Sequence, residues 1–256
     1  MDIQVQNYAV ASLRRRPEVV EVAGFIIGCY PDSDSPYLNY ATPLPGAEPT
    51  AADVAALVAA FRERGLKPRL EFAPNAAPAV EAALRAAGFT TEAEHEYLIC
   101  TPATLAEPVG TPGSAAVALK VETPETDEEY LAVDAALAEA FSGEFASSPE
   151  GGARLRRQQE AGGAIRFVRA ADGSCAGGAG VSPIAVGTTE LAGVGTRPAH
   201  RGQGIAAAVV AELTRVMFDR GAESVWLEYS GEGSRRVYER VGFRPSGRRL
   251  YISLES

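Results

Sequence analysis

The sequence predicts an α/β chain of two consecutive units, and three observations predict it. Helical patterns of apolar residues alternate with short runs rich in β-formers along the whole length. The order helix, strand, helix, strand over residues 50–100 returns over residues 204–251. Gly65 answers Gly221, Glu71 and Phe72 answer Glu228 and Tyr229, Gly88 and Phe89 answer Gly242 and Phe243, and Tyr97 answers Tyr251. The offsets are 156, 157, 154 and 154, so the copies differ by short insertions in loops. Between them TPATLAEPVGTPGSAA (101–116) is rich in Pro, Gly, Ala and Thr and has no periodicity, the composition of a linker. The expected division is a first unit at 1–102, a linker at 103–116 and a second unit at 117–256.

The first unit opens on strands at 24–30 and 38–43, separated by the turn formers PDSDSP. A helix follows with Thr50 as its cap, Asp53 in the first turn, Val54, Leu57, Val58 and Phe61 in one stripe, and Gly65 as its stop. A strand at 68–72, a helix opened by Pro78 and closed by Gly88, and a strand at 96–100 complete the unit. The second unit opens with a strand at 117–122. Its first helix starts near Thr126, with Asp127, Glu128 and Glu129 where the helix dipole favours acids, and with Tyr130, Val133, Leu137 and Phe141 on its apolar side. After a loop at 142–149 and a helix at 150–161, strands at 165–170 and 175–181 turn at Asp172-Gly173, a strong hairpin signal. A strand at 189–196 completes a meander, a long helix runs to Arg220, and a strand at 225–229 precedes a short helix carrying Val237, Tyr238 and Val241.

Composition narrows the function classes. Of 256 residues, 46% are hydrophobic and 22% charged, which suits one or two globular domains with real cores. No apolar run approaches a membrane span, and the N-terminal arginines follow the apolar residues, the reverse of a secretory signal, so a cytoplasmic location is expected. A net charge of −9 repels phosphate backbones and anionic lipid. Neither nucleic acid nor membrane is an expected partner, and a cationic substrate is weakly favoured. Cys29, Cys100 and Cys175 lie far apart without ligand-like spacing, so no metal is expected and the thiols are read as bystanders.

The chemistry concentrates in Arg201-Gly202-Gln203-Gly204-Ile205-Ala206, glycines on a turn between a strand and a helix. A helix start there presents backbone N–H groups and a positive dipole end, and glycine lets an anion approach them. Gly202-x-Gly204-x-x-Ala207 also fits a dinucleotide fingerprint with Glu228 as its ribose acid. Against that reading, five residues separate the strand from the glycines, and the strands expected before it are antiparallel. The loop instead resembles the Gln/Arg-x-x-Gly-x-Gly/Ala loop of the GNAT acetyltransferase superfamily, and 237–243, VYERVGF, resembles the segment that closes that family's conserved half. The resemblance covers roughly 117–256 in full. It implies two GNAT-like units, each a mixed, mostly antiparallel sheet flanked by helices. The first has Pro45-Gly46-Ala47-Glu48-Pro49 at the loop and Leu84 in place of Tyr238, and is read as degenerate, unable to bind the cofactor.

The resemblance further implies an N-acetyltransferase that uses acetyl-coenzyme A and a primary amine of a small molecule or peptide, by direct attack of the bound amine. Arg201, Gly202, Gln203, Gly204, Ile205 and Ala206 would hold the pyrophosphate, with Arg201 either adding a charge-assisted bond or shaping the loop. Val194, Gly195 and Thr196 would pair with the pantetheine arm, and the glycines of that strand also suit a bulge that splays it. Tyr238 would protonate the leaving thiolate, although a core tyrosine would look the same. Many members carry an asparagine where this chain has Gly231, a role Ser234 could replace. Glu190 is the candidate base, and Glu144 and Glu228 are candidate substrate-binding residues. His200 reads as a spacer. The alternative from another class is a non-catalytic acyl-coenzyme A sensor. The first unit is expected to pack on the second, covering the substrate side or extending the core, or else to be a scaffold or dimer surface, so a homodimer is an open expectation.

Overall fold

The computed structural model describes residues 1–106, 119–142, 146–229 and 231–255. It forms two compact units, one of Met1–Tyr97 with Pro245–Ser256 and the other of Leu98–Arg244. In chain order the first contains α1 (Asp2–Leu13), β1 (Glu18–Val22), β2 (Phe25–Cys29), β3 (Tyr40–Pro43), α2 (Ala51–Arg62), β4 (Arg69–Phe72), α3 (Pro78–Ala86) and most of β5 (Thr90–Cys100). The second contains β6 (Val121–Glu122), α4 (Asp127–Ala140), α5 (Pro149–Glu160), β7 (Ala164–Arg169), β8 (Cys175–Val181), β9 (Thr188–Thr196), α6 (Ile205–Asp219), β10 (Ser224–Glu228) and α7 (Glu232–Val241). The final strand, β11 (Arg244–Ser253), returns almost entirely to the first unit.

In the first unit the strand order is β1-β2-β3-β4-β11-β5. The meander β1–β2–β3 is antiparallel, β3 and β4 are parallel and register only at Ala41 with Leu70, and β11 runs antiparallel to β4. One face packs Phe25, Ile27, Leu70, Phe72, Leu250 and Ile252 against Val54, Leu57 and Phe61 of α2 and Val80 and Leu84 of α3. The expected cap of α2 is a full capping box: Asp53 N–H donates to Thr50 Oγ1, and the Asp53 carboxylate accepts from the Thr50 N–H at 2.8 Å.

In the second unit β6, β7, β8 and β9 form an antiparallel run, and β10 adds parallel to β9. Val209, Val210, Leu213 and Met217 of α6 are buried on it, with Val225, Leu227, Val241 and Phe243. Thr126 and Glu129 make a second capping box at α4, so the first-turn acids serve the helix as expected. Asp172 and Gly173 form the hairpin turn, where Gly173 has φ +84°.

Four features differ from the sequence expectation. Residues 245–256, assigned by sequence to the second unit, belong to the first, because β4 needs a partner on its second edge and Leu250 and Ile252 complete that core. Residues 103–106, assigned to the linker, are packed: Ala106 N–H donates to the Val241 carbonyl at 2.9 Å, and Leu105 lies on the core. The rest of the expected linker, with residues 117 and 118 of the expected strand, falls outside the described residues. Two elements had no counterpart in the sequence reading, α1 and β1. Helix α1 buries Val5, Tyr8, Ala9 and Leu13 at helical spacing, but Gln6 sits among them and interrupts the apolar pattern.

Candidate active site

The parallel pair β9–β10 is short by construction. Ser224, Val225 and Trp226 register with Thr188, Thr189 and Glu190, and beyond Glu190 the strands part. A register shift between Gly178 and Gly180 of β8 sets one residue of that strand, Ala179, against two of β9, Gly193 and Val194, a bulge at Gly193, whose φ is +64°. Bulged strands bend and twist, which opens the edge facing β10. The resulting cleft, about 290 Å³, is lined by Glu190, Leu191, Ala192, Gly193 and Val194 from β9, Glu228 and Tyr229 from β10, Ser234 and Tyr238 from α7, and Phe141 after α4.

The structure therefore brings together Glu190, Val194, Glu228 and Tyr238, four residues singled out from the sequence. Glu190 is the third residue of β9, at the point where its pairing with β10 ends. Gly195 has another reason to be glycine than the approach of a ligand, since a Cβ there would lie 2.8 Å from Leu137 Cδ2 and 2.9 Å from Ala140 Cβ. Close packing of α4 on β9 demands it. Thr196 Oγ1 is buried without a hydrogen-bond partner among the described residues. Glu144 lies outside the described residues. Phe141, Tyr229 and Leu191 enter the site unannounced, although the helical stripe that holds Phe141 was legible.

Tyr238 is 7% exposed, packs edge-on to Phe243 and lines the cleft. Among the described residues its hydroxyl has no hydrogen-bond partner, unlike a core tyrosine satisfied by the protein. Burial pushes its pKa up to about 12, so the phenol keeps its proton and acts as a donor at neutral pH. Its helix begins at Gly231, with φ +81°, and ends at Gly242, with φ +112°. A Cβ at Gly242 would strike the Thr104 carbonyl. Ser234, on the same helix, donates to the Gly231 carbonyl at 2.9 Å.

At the far end of β9 the chain makes a 3-10 turn, Pro198–His200, and enters the loop before α6. Gly202 and Gly204 have φ of +78° and +81°, the left-handed region that glycine adopts without strain, and a Cβ at Gly202 would meet nothing within 4 Å. No side chain caps α6, so its first N–H groups point along the helix axis into the loop. Residues 201–204 are exposed and Ile205 is buried beneath them, anchoring the turn. Arg201 ties the loop down: its Nη2 donates to the Ala140 carbonyl at 3.0 Å and its Nε to the Thr196 carbonyl at 3.4 Å. It shapes the loop rather than reaching out of it. Arg197 approaches Glu139 at 3.4 Å.

This is the arrangement a pyrophosphate-bearing arm fits: glycines with room above them, an uncapped helix start, and a gap between strands leading to a buried donor. No group of three or more His, Cys, Asp or Glu placed to hold a metal occurs among the described residues. The three cysteines are free and buried, and burial raises the Cys175 thiol pKa to about 11, which argues against a thiolate nucleophile.

The first unit repeats this architecture with different contents. Its counterpart of the cleft, between β3 and β4, is filled by Gln6 of α1, 1% exposed. Gln6 Nε2 donates to the Pro43 carbonyl at 2.6 Å and to Thr42 Oγ1 at 2.7 Å, and its Oε1 accepts from the Ala73 N–H at 2.9 Å. Glu71, the counterpart of Glu228, is 2.6 Å from Arg69 and 3.5 Å from Arg249. The counterpart of Arg69, two residues before Glu228, is Trp226.

Residues 130–243 match the model of the acetyltransferase (GNAT) family. Among solved structures, the chain is similar to a GCN5-related N-acetyltransferase from Kribbella flavida, at 25% identity over 100% of this chain and 96% of that one, with a TM-score of 0.82. It shares its fold with a GCN5-related N-acetyltransferase from Sphaerobacter thermophilus, at 17% identity over 96% and 84% of the two chains, TM-score 0.66. It also shares its fold with a tandem GNAT protein from the clavulanic acid biosynthesis pathway, at 16% identity over 99% and 87%, TM-score 0.60. No curated protein matches the chain.

Proposed function

From the match of residues 130–243 to the GNAT acetyltransferase family, we propose that the second unit is a member of that family and transfers an acetyl group from acetyl-coenzyme A to a primary amine. The observation that carries the reading is what β9 joins: a bulge at Gly193, a cleft lined by Glu190 and Tyr238, and, after the strand ends, the glycine loop and uncapped start of α6. The thioester, when bound, supplies an activated acetyl carbon. Transfer joins the amine nitrogen to that carbon and breaks the carbon–sulfur bond, so the amine must lose a proton and the sulfur must gain one.

The residues divide these tasks. The N–H groups of the 202–206 loop and the α6 dipole hold the pyrophosphate, with Arg201 keeping the loop in shape. Val194, Gly195 and Thr196 offer backbone to the pantetheine amides. Glu190, at the mouth of the strand gap, takes the amine proton, and Tyr238, held neutral by burial, gives one to the sulfur. Phe141, Leu191 and Val194 narrow the cleft and exclude water, which strengthens each polar contact within it. The first unit, with its gap closed and its loop replaced by Pro45-Gly46-Ala47-Glu48-Pro49, binds no cofactor and serves as a scaffold. No helix among the described residues is long and apolar enough to cross a membrane. A cytoplasmic enzyme, free of nucleic acid and membrane and open to homodimer formation, completes the proposal.

The test is thermal shift with acetyl-coenzyme A, coenzyme A and NAD, paired with thiol release in the presence of amines. The two coenzyme A species should stabilise the wild type and not Arg201→Glu, while NAD has no effect. Stabilisation without thiol release from any amine would point instead to a non-catalytic acyl-coenzyme A sensor. A shift with NAD alone would overturn the family-based cofactor.

A further inference from the structure

We infer that β1 is the docking edge for a second copy of this chain, two copies pairing antiparallel through Val19, Val20 and Glu21 about a two-fold axis at Val20. The surface lies wholly in the first unit and does not depend on what the second unit catalyses.

β1 ends its sheet: β2 pairs with one side of it, and no strand covers the other among the described residues. Ala23 and Gly24, with φ of +49° and +82°, form a two-residue turn that closes on Val22 with Phe25. Such a turn closes on a hydrogen-bonded pair and the bonding then alternates along the hairpin, so Val20 and Glu18 also spend their N–H and C=O groups on β2. Those of Val19 and Glu21 point outward, and neither backbone has a partner there among the described residues. Outward groups on a valine-rich strand are a template for a further strand, and unpaired charge is the usual guard against one. Here the charges are matched within the unit, Glu18 lying 2.9 Å from Arg64 and Glu21 lying 2.9 Å from Arg14.

The sequence of the edge fits itself in one register. With Val19 opposite Val19, Pro17 would face Glu21, and proline has no N–H to give. With Glu21 opposite Glu21, like charges would stand directly across from each other, and the second copy would run on past the turn at Ala23. With Val20 opposite Val20, Val19 of each copy faces Glu21 of the other, and each of those pairs exchanges both its N–H···O=C bonds. The two Val20 side chains, half-buried on the α2 face of the sheet, then meet across the axis, and Glu18 faces Val22. This pairing is two-fold symmetric and closes, which favours a second copy of the chain over an unrelated strand. A five-residue edge buries less than the roughly 1,200–2,000 Å² of a standard interface, so the pairing is weak, with a Kd of the order of 10–100 µM.

The experiment is sedimentation equilibrium of the full chain at concentrations from about tenfold below that range to about tenfold above it, where a monomer–dimer equilibrium should appear. Glu21→Pro removes an N–H that the single chain does not use, at an edge position that accepts proline, so it should weaken association about tenfold or more while circular dichroism and Tm stay near the wild type. Two cysteine variants read the register without touching the backbone. Residues opposite each other in a non-hydrogen-bonded pair have Cα atoms about 4.5 Å apart, within reach of a disulfide, so Val20→Cys should form a cross-linked dimer on mild oxidation. Glu21→Cys, placed opposite Val19 of the other copy, should not, and the native cysteines are buried. A monomer at every concentration, which would leave the edge to a strand of another protein, would overturn the inference. So would association that survives Glu21→Pro, or cross-linking of Glu21→Cys as efficient as that of Val20→Cys.

Discussion

In the first unit the gap beyond Ala41 and Leu70 is closed by Gln6, whereas in the second the gap beyond Glu190 and Trp226 stays open and leads to Tyr238. Both gaps arise in the same way, from a parallel strand pair joined through a helix that registers over a few residues and then diverges. What differs is the source of the groups that satisfy the parted edges. In the first unit a primary amide of the chain itself bonds both edges, accepting the Ala73 N–H and donating to the Pro43 carbonyl. In the second the gap is bordered by a bulge, glycines and a hydroxyl, that of Tyr238, without a partner among the described residues. Backbone groups at a strand gap have to be satisfied, and a protein satisfies them with its own residues where it needs rigidity and leaves room for a ligand where it needs function.

The charge pattern follows the same division. Arg69 is 2% exposed, and burial by itself would depress its guanidinium, yet Glu71 and Glu92 more than offset that and hold its pKa above the ordinary value. Its Nη1 also reaches the Pro36 carbonyl at 3.2 Å, and its face lies over Tyr37, Tyr40 and Tyr251. The first unit thus spends its carboxylate on an internal network, and the second turns the equivalent carboxylate toward a cleft.

The largest expected effect breaks the internal network. Arg69→Ala should destabilise the chain by about 3–5 kcal/mol in a denaturant titration, because it leaves Glu71 buried with an incomplete counter-charge. A loss near zero would mean that the first unit's charges are ornamental and the comparison fails. Tyr238→Phe attacks the other side. Thiol release should fall about 100- to 1,000-fold with coenzyme A stabilisation retained, the size expected for removal of a positioned acid. The same variant carries a pH signature. With a folded pKa of about 12 against about 10 when unfolded, the wild-type tyrosine contributes stability that is full below pH 10 and is lost as pH rises to 12, and the variant should lose less over that window.

Gln6→Ala sharpens the comparison at the closed gap. It should cost about 2–3 kcal/mol, since the Ala73 N–H and the Pro43 carbonyl are left buried without Gln6. Coenzyme A stoichiometry by calorimetry should remain one per chain. A second equivalent would show that Gln6 alone, and not the missing glycine loop, separates the two units. The smallest effect lies at the β8–β9 turn, where Val186 has φ +45° before Gly187 at +77°, both residues in a left-handed conformation that a β-branched side chain resists. Val186→Asn supplies the residue such two-residue turns favour and should raise stability by about 1 kcal/mol, read as an upward shift in Tm. No change would place the strain elsewhere.

Much of the site was legible before any coordinates. Thr50 with Asp53 and Thr126 with Glu129 are local signals, and they cap the helices they precede. Gly202 and Gly204 announced a left-handed turn at a helix start, and Gly193 a bulge, because only local backbone geometry was involved. The illegible parts depend on partners distant in sequence. Gln6 looked like a flaw in an apolar stripe, since its bonds go to residues 36, 37 and 67 positions away. Gly195, read as a place for a ligand to approach, also makes room for Leu137 and Ala140, which no local pattern showed. Arg201 ties Ala140 to the loop, a contact across 61 positions.

By itself the sequence determined the two copies, the order of helices and strands in each, the loop that presents N–H groups, and the four residues Glu190, Val194, Glu228 and Tyr238 that meet in one cleft. Periodicity, capping and turn chemistry are written within a few residues, so they survive reading one position at a time. Tertiary structure alone decided which unit receives β11, that one gap is filled and its twin open, and that Glu71 is matched by Arg69. Those outcomes depend on which edges and charges are still unsatisfied once the elements have packed, a quantity that no single stretch of the chain contains.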